Sequence, residues 1–276
     1  MKIDAHQHFW KYDPVRDSWI DNSMSVLMRD FLPSELKEEM DNNGIDGCVT
    51  VQADQSEEET NFLLQLAQSN SFIKGVVGWI DLRAKNAEDR IAHFATNEKL
   101  KGLRHIVQAE PDEHFMLQND FKRGISFLSK YGLTYDILIF PKHLGTALEL
   151  VKQFPEQPFV IDHLAKPQIK EQVLSPWKEQ IQELAKAPNV FCKVSGLVTE
   201  ANWHNWKMED IKPYLDIVFE AFGIDRLMFG SDWPVCKLAG NYTTTCVLME
   251  EYLKDFSEVD KAKFWGKNAT TFYNLN

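Results

Sequence analysis

Cysteine is scarce in this chain: four in 276 residues, at Cys48, Cys192, Cys236 and Cys246, with no CxxC pair. That spacing excludes a disulfide-stapled scaffold and a zinc ribbon. Three of the four lie in apolar stretches, so buried thiols in a cytoplasmic protein are expected. Positive charge is also short, with 30 Lys and Arg against 41 Asp and Glu, a net charge of −11. A phosphate backbone demands clustered cations, which excludes nucleic acid as a partner. No apolar run approaches the roughly 20 residues of a membrane span. The opening MKIDAHQHFW has no apolar centre for a secretory signal. Glycines number 13 and are scattered. None forms a phosphate loop after the first apolar run, which weakens a nucleotide-binding open sheet. No Gly/Ser/Pro linker divides the chain, so 1–276 is expected to form one domain, and no feature sets an oligomeric state.

What is present is periodic. Eight short β-type runs begin at Ile3, Ile45, Ile73, Gly102, Leu133, Phe159, Val190 and Arg226. Most are rich in Val, Ile and Phe and too short for helices. Helical patterns alternate with them. Ser56 with Glu59 three positions on reads as a capping box, with Phe62, Leu63, Leu66 and Ala67 as the apolar stripe behind it. Ser175-Pro176 reads as a cap and first turn ahead of Trp177, Ile181 and Leu184. Leu144, Leu148, Val151 and Phe154 mark a helix halted by Pro155. Gly44, Gly132 and Gly223 look like helix ends before the next strand. Eight strand–helix repeats predict a closed (β/α)8 TIM barrel of parallel strands.

Two connections are long, 9–31 and 197–207. Both follow a strand, so both belong on the C-terminal face where barrels build active sites. They carry Phe9, Trp10, Tyr12 and Trp19 in the first and Trp203 and Trp206 in the second, either as plugs over the mouth or as surfaces for a ring-shaped ligand.

Residues i and i+2 of a strand point to one side, so His6 and His8 project together. Two neutral imidazoles so placed suit a divalent cation or form a hydrogen-bonded pair. His163 ends the sixth run. Asp162 alternates with it and is expected to face the helices in a structural role. Asp232, within Gly230-Ser231-Asp232-Trp233-Pro234, ends the eighth run, which in a barrel neighbours the first. A carboxylate there binds a metal, takes a proton from water, or caps the next turn. Arg104 ends the fourth run, as an oxyanion donor or as the partner of a barrel carboxylate. His105 beside it bonds either a ligand hydroxyl or its own loop. Lys193 inside a barrel needs a partner. Asp136 qualifies, as a structural pair or as two hydroxyl-binding groups. Lys166 is expected in solvent. Trp19 and Trp233 are candidates for stacking on a sugar ring or for ordinary packing.

His6-x-His8, His163 and Gly230-Ser231-Asp232-Trp233-Pro234 together resemble the amidohydrolase superfamily. Further matches at Gly102, Arg104 and His105, at Lys193, Ser195 and Gly196, and over 268–273 carry the likeness from residue 3 to residue 273. The chain is most similar to the sugar-lactonase branch of the amidohydrolase-2 group. The resemblance implies a hydrolase that opens the lactone of an aldonic acid, such as L-fucono-1,5-lactone, with a small neutral sugar lactone as its partner. Asp232 would be the general base, and His163 would share in catalysis. His6, His8, His163 and Asp232 would hold at most one divalent metal, most naturally zinc, which activity need not require. Where many superfamily members carry a metal-bridging lysine on strand four and a histidine on strand five, this chain offers Arg104 and His105 on the fourth run and Tyr135 and Asp136 on the fifth, so a two-metal site is not expected. A metal-dependent decarboxylase and a pyrone-dicarboxylate lactonase are the alternatives on the same barrel.

Overall fold

The computed structural model describes residues 1–275. Eight strands form one parallel sheet in sequence order: β1 (Ile3–Gln7), β2 (Gly47–Val51), β3 (Ile73–Gly78), β4 (Leu100–His105), β5 (Thr134–Ile137), β6 (Phe159–Ile161), β7 (Val190–Val194) and β8 (Leu227–Phe229). The seam between the first and last strands is short. Gln7 bridges Trp233, His8 N donates to Trp233 O at 2.7 Å, and Asp232 N donates to His6 O at 2.9 Å. This is the expected (β/α)8 barrel. The outer helices are α1 (Pro33–Asn42), α2 (Glu57–Ser69), α3 (Ala87–Phe94), α4 (Asn119–Leu128), α5 (Leu144–Gln153) and α6 (Trp177–Leu184). A short α7 (Leu197–Glu200), α8 (Met208–Phe222) and α9 (Tyr242–Tyr252) follow, and α10 (Glu258–Ala262) and α11 (Asn268–Phe272) close the base.

Two apolar layers hold this frame. Ala5, Val49, Val51, Val77, Val160 and Met228 fill the barrel interior, plugged from below by Phe272, Tyr273 and Leu275. The outward strand residues pack against the helices in a larger cluster that takes in Phe31, Trp177 and Tyr214. All four cysteines are free and buried.

Two helix starts differ from the sequence reading. Ser56 does accept from Glu59 N at 3.1 Å, but the Glu59 carboxylate turns to Ala53 N at 3.0 Å instead of closing the box. Before α6, the flanking residue is Pro176, and Ser175 Oγ donates to the Glu179 carboxylate at 2.8 Å without capping a helix N–H. Several strands also stop short of their apolar runs. β6 ends at Ile161 because residues 163–166 all take φ near +52 to +58, and β8 ends at Phe229 ahead of Asp232 at φ +56. These left-handed positions break the ladder where the site begins.

Candidate active site

The site grows from a register shift in β1 between Asp4 and Gln7. Ile3 and Ala5 already face the interior, and the irregularity brings His6 and His8 inward after them. Asp4 anchors it: its carboxylate accepts from His6 N at 3.1 Å, Ser231 N at 2.9 Å, Ser231 Oγ at 2.6 Å and Tyr242 Oη at 3.1 Å. Across the seam, Gly230 leaves room for His6, since a Cβ there would stand 2.6 Å from the His6 Cβ.

The four expected residues converge. His6 Nε2 and His8 Nε2 are 3.2 Å apart, and the Asp232 carboxylate lies 3.5 Å from His8 Nε2, 4.0 Å from His6 Nε2 and 3.9 Å from His163 Nε2. His8 Nδ1 sits 2.7 Å from Val51 O. A carbonyl only accepts, so this nitrogen carries the proton and Nε2 presents its lone pair. His8 is therefore a ligand or an acceptor and cannot donate to an oxyanion while neutral. His163 Nδ1 pairs with Ser195 Oγ at 2.8 Å, and a hydroxyl can donate there, leaving the Nε2 of His163 free to donate.

Electrostatics keep His6 and His163 neutral and the Asp232 carboxylate charged. Burial pushes His6 well below its ordinary value and His163 down to about 4. Burial alone would raise Asp232, but His163, His8 and Lys166 outweigh it and leave the carboxyl below its usual value.

Beneath lies a buried charge network that sequence reasoning missed at its centre. Asp162 points into the barrel, 3.2 Å from His6 Nδ1, 2.9 Å from Arg104 Nη1 and 3.0 Å from Lys193 Nζ. Its phase follows from Val160, which also faces inward; it is His163 that the left-handed turn redirects. Lys193 also pairs with Asp136, and Tyr273 Oη donates to the Asp136 carboxylate at 2.8 Å. Lys193 and Asp136 are fully buried, pair with each other, and do not line the cavity above. Arg104 takes its salt-bridge role toward Asp162, binds Gln52 O, lines the cavity, and has a buried Nε without a hydrogen-bond partner.

Above these residues opens a cavity of about 420 Å3, within the range of small-molecule sites. His8, Asp232, His163 and Arg104 form its floor. Trp10, Trp19, Met24, Val235 and Leu238 make one wall, and Lys166, Thr199 and Glu200 line another beside Trp203. Trp19 is thus placed to meet a ligand. Trp233 is not: it is fully buried, edge-on to Phe9 and Phe31, and serves packing. His105 is likewise corrected to a loop role, with Nε2 2.6 Å from Glu110, Trp79 Nε1 donating to Nδ1, and the ring stacked on Phe115. Lys166, expected in solvent, lines the cavity instead.

The donor set fits one divalent cation. Ligands bound tetrahedrally at about 2.0–2.1 Å stand about 3.3 Å apart, close to the separations among His6, His8 and Asp232, which form a ligand-competent group. A second such group, His6, Asp162 and His163, is disfavoured because Arg104 and Lys193 already match the Asp162 charge.

Comparison with known proteins agrees with this geometry. Residues 3–275 match the amidohydrolase family model. The chain is 38% identical to an L-fucono-1,5-lactonase of Burkholderia multivorans over 100% of its own length and 96% of that protein. A Burkholderia ambifaria protein of the same name is 36% identical over 100% and 96%. A crystal structure of an amidohydrolase from Burkholderia multivorans with bound Zn superposes with a TM-score of 0.97 at 39% identity, covering all of both chains. Decarboxylases superpose at 12–15% identity and share the fold alone.

Proposed function

The chain belongs to the amidohydrolase family, and from that premise we propose that it is a lactonase that hydrolyses the lactone of an aldonic acid, L-fucono-1,5-lactone in particular. The observation that carries the proposal is the Asp232 carboxylate set among three imidazoles at the floor of a cavity with one tryptophan-rich and one polar wall. Asp232, held ionised, takes a proton from water as the water oxygen bonds to the lactone carbonyl carbon. His163 Nε2 and the Arg104 guanidinium at the cavity floor supply donors for the oxyanion. The acyl–oxygen bond then breaks, Asp232 returns its proton to the ring oxygen, and the acid formed ionises. A zinc ion on His6, His8 and Asp232 would polarise the carbonyl and acidify the water, with His163 left as a donor.

A dicarboxylate substrate is disfavoured. The two cations lining the cavity are Arg104 and Lys166, and each already faces a carboxylate, Asp162 and Glu200. This reading treats 1–276 as one catalytic domain and places it in the cytoplasm, consistent with four buried free thiols. Among the described residues no helix is long and apolar enough to cross a membrane.

The test is a pH-indicator assay on L-fucono-1,5-lactone with and without chelator. Acid release is expected from the wild type and a loss of about 10²–10⁴-fold in Asp232→Asn at unchanged fold. Equal turnover in that variant would overturn the mechanism. Full activity after stringent chelation would remove the metal and leave the base.

A further inference from the structure

Lys166 and Glu200 stand in the cavity wall outside the His/Asp floor, and nothing in the hydrolytic step uses them. Both owe their position to irregular backbone. Four successive non-glycine residues, His163 to Lys166, adopt φ of +54, +54, +58 and +52. A left-handed conformation crowds the Cβ of any such residue against the following carbonyl. A run of four persists only where the surroundings impose it, which is typical of functional sites. The turn aims His163 and Lys166 into one cavity.

Glu200 ends α7, which is preceded by its cap residue Gly196, whose bare Cα lies against the His163 ring. Lys170 N donates to Glu200 O at 3.0 Å, so main-chain bonding ties the two loops together independently of the side chains. Lys166 Nζ and the Glu200 carboxylate are 3.4 Å apart, with side chains 20% and 24% exposed. A charge-assisted hydrogen bond is shorter, about 2.7–2.9 Å. Among the described residues neither head group has another side-chain hydrogen-bond partner, and the ammonium lies 5.8 Å from the centre of the Phe140 ring. The pair therefore presents a cationic donor and an anionic acceptor side by side, both with unused capacity, to whatever lies over His163 and Asp232.

We propose that Lys166 and Glu200 are the specificity-determining pair of this cavity, a clamp that reads two adjacent hydroxyls of the substrate ring. One hydroxyl accepts from the Lys166 ammonium while its neighbour donates to the Glu200 carboxylate. Such a pair favours a polyol. A carboxylate-bearing lactone would meet Glu200 with like charge, and an unsubstituted lactone would leave both groups desolvated and unpaired. The apolar wall of Trp19, Met24 and Leu238 faces the carbon skeleton. This inference rests on the lactonase reading and extends it to how the substrate is recognised.

The experiment measures kcat and KM on L-fucono-1,5-lactone for the wild type, Glu200→Gln, Lys166→Met and Lys166→Arg, with circular dichroism and thermal melting as fold controls. Hydrogen bonds to charged groups, made equally in ground and transition states, predict KM raised about ten- to a hundredfold in Glu200→Gln and Lys166→Met, with kcat falling less than threefold. Lys166→Arg, which keeps the cationic donor, should stay within about threefold of the wild-type KM. Unchanged KM in both deletions, or kcat falling as far as KM rises, overturns the clamp while leaving the lactonase reading intact. A wild type that releases no acid from the lactone removes both.

Discussion

Glu59 shows at the scale of one side chain how far a short motif can be trusted. Ser56 four residues into a polar stretch, with Glu59 three positions later, announces a helix start, and α2 begins there. The motif also implies a solvated carboxylate bonded to Ser56, whereas Glu59 is buried and bonds Ala53 N. Burial raises its carboxyl from 4.5 to about 7. A carboxyl with a raised folded-state value adds stability that is fully present below about 4.5 and is lost as pH climbs through about 7. The wild type should lose up to about 3 kcal/mol across that window relative to Glu59→Gln. Urea unfolding of both proteins from pH 4 to pH 8 checks it, and parallel curves would show that Glu59 ionises freely. Asp162 was illegible for a related reason. The run from Phe159 to Ile161 is apolar on both faces, so nothing in it sets the phase that turns Asp162 inward. No glycine marks the left-handed turn that redirects His163.

The eight strands were legible at the scale of elements because each is a short, largely apolar run, and the order of helices followed. Long loops were placed on the correct face, but which aromatics reach the cavity was not readable, since Trp19 and Trp233 look alike as letters and differ only in what packs on them. Two glycines with nearly the same backbone angle separate strain from contact. Gly196 and Gly132 are both left-handed, at φ +66 and φ +67. A Cβ at Gly196 would lie 2.7 Å from His163 Nδ1, whereas at Gly132 nothing lies within 4 Å. Gly132→Ala is expected to cost about 1–2 kcal/mol of stability with turnover unchanged. Gly196→Ala should add a displaced His163 and lose at least about tenfold in kcat/KM, the scale of a small misplacement at a reacting centre. Thermal melting and steady-state kinetics on both variants test the difference. Equal kinetics would mean that the α7 turn does not position His163.

For the whole molecule, the site and the closure of the barrel are one feature. His6 and His8 lie on one side of the seam and Asp232 on the other, so a cation held between them fastens the first strand to the last. Zinc at about 100 times its Kd should stabilise by about 2.7 kcal/mol, raising Tm by about 5–10 °C for a chain of this length. His8→Ala should abolish the shift. Scanning calorimetry with and without zinc decides it, and the same rise in both proteins would place the ion elsewhere. Below the seam, Tyr273 reaches Asp136 across 137 residues of chain. That span sets a schedule during synthesis. Residues 6 and 8 leave the ribosome early, yet they meet the Asp232 carboxylate only after residue 232 has been made, and Tyr273, the partner of Asp136, follows later still. Activity is therefore the last property a growing chain acquires, and a prematurely terminated product would be inert, not weakly active.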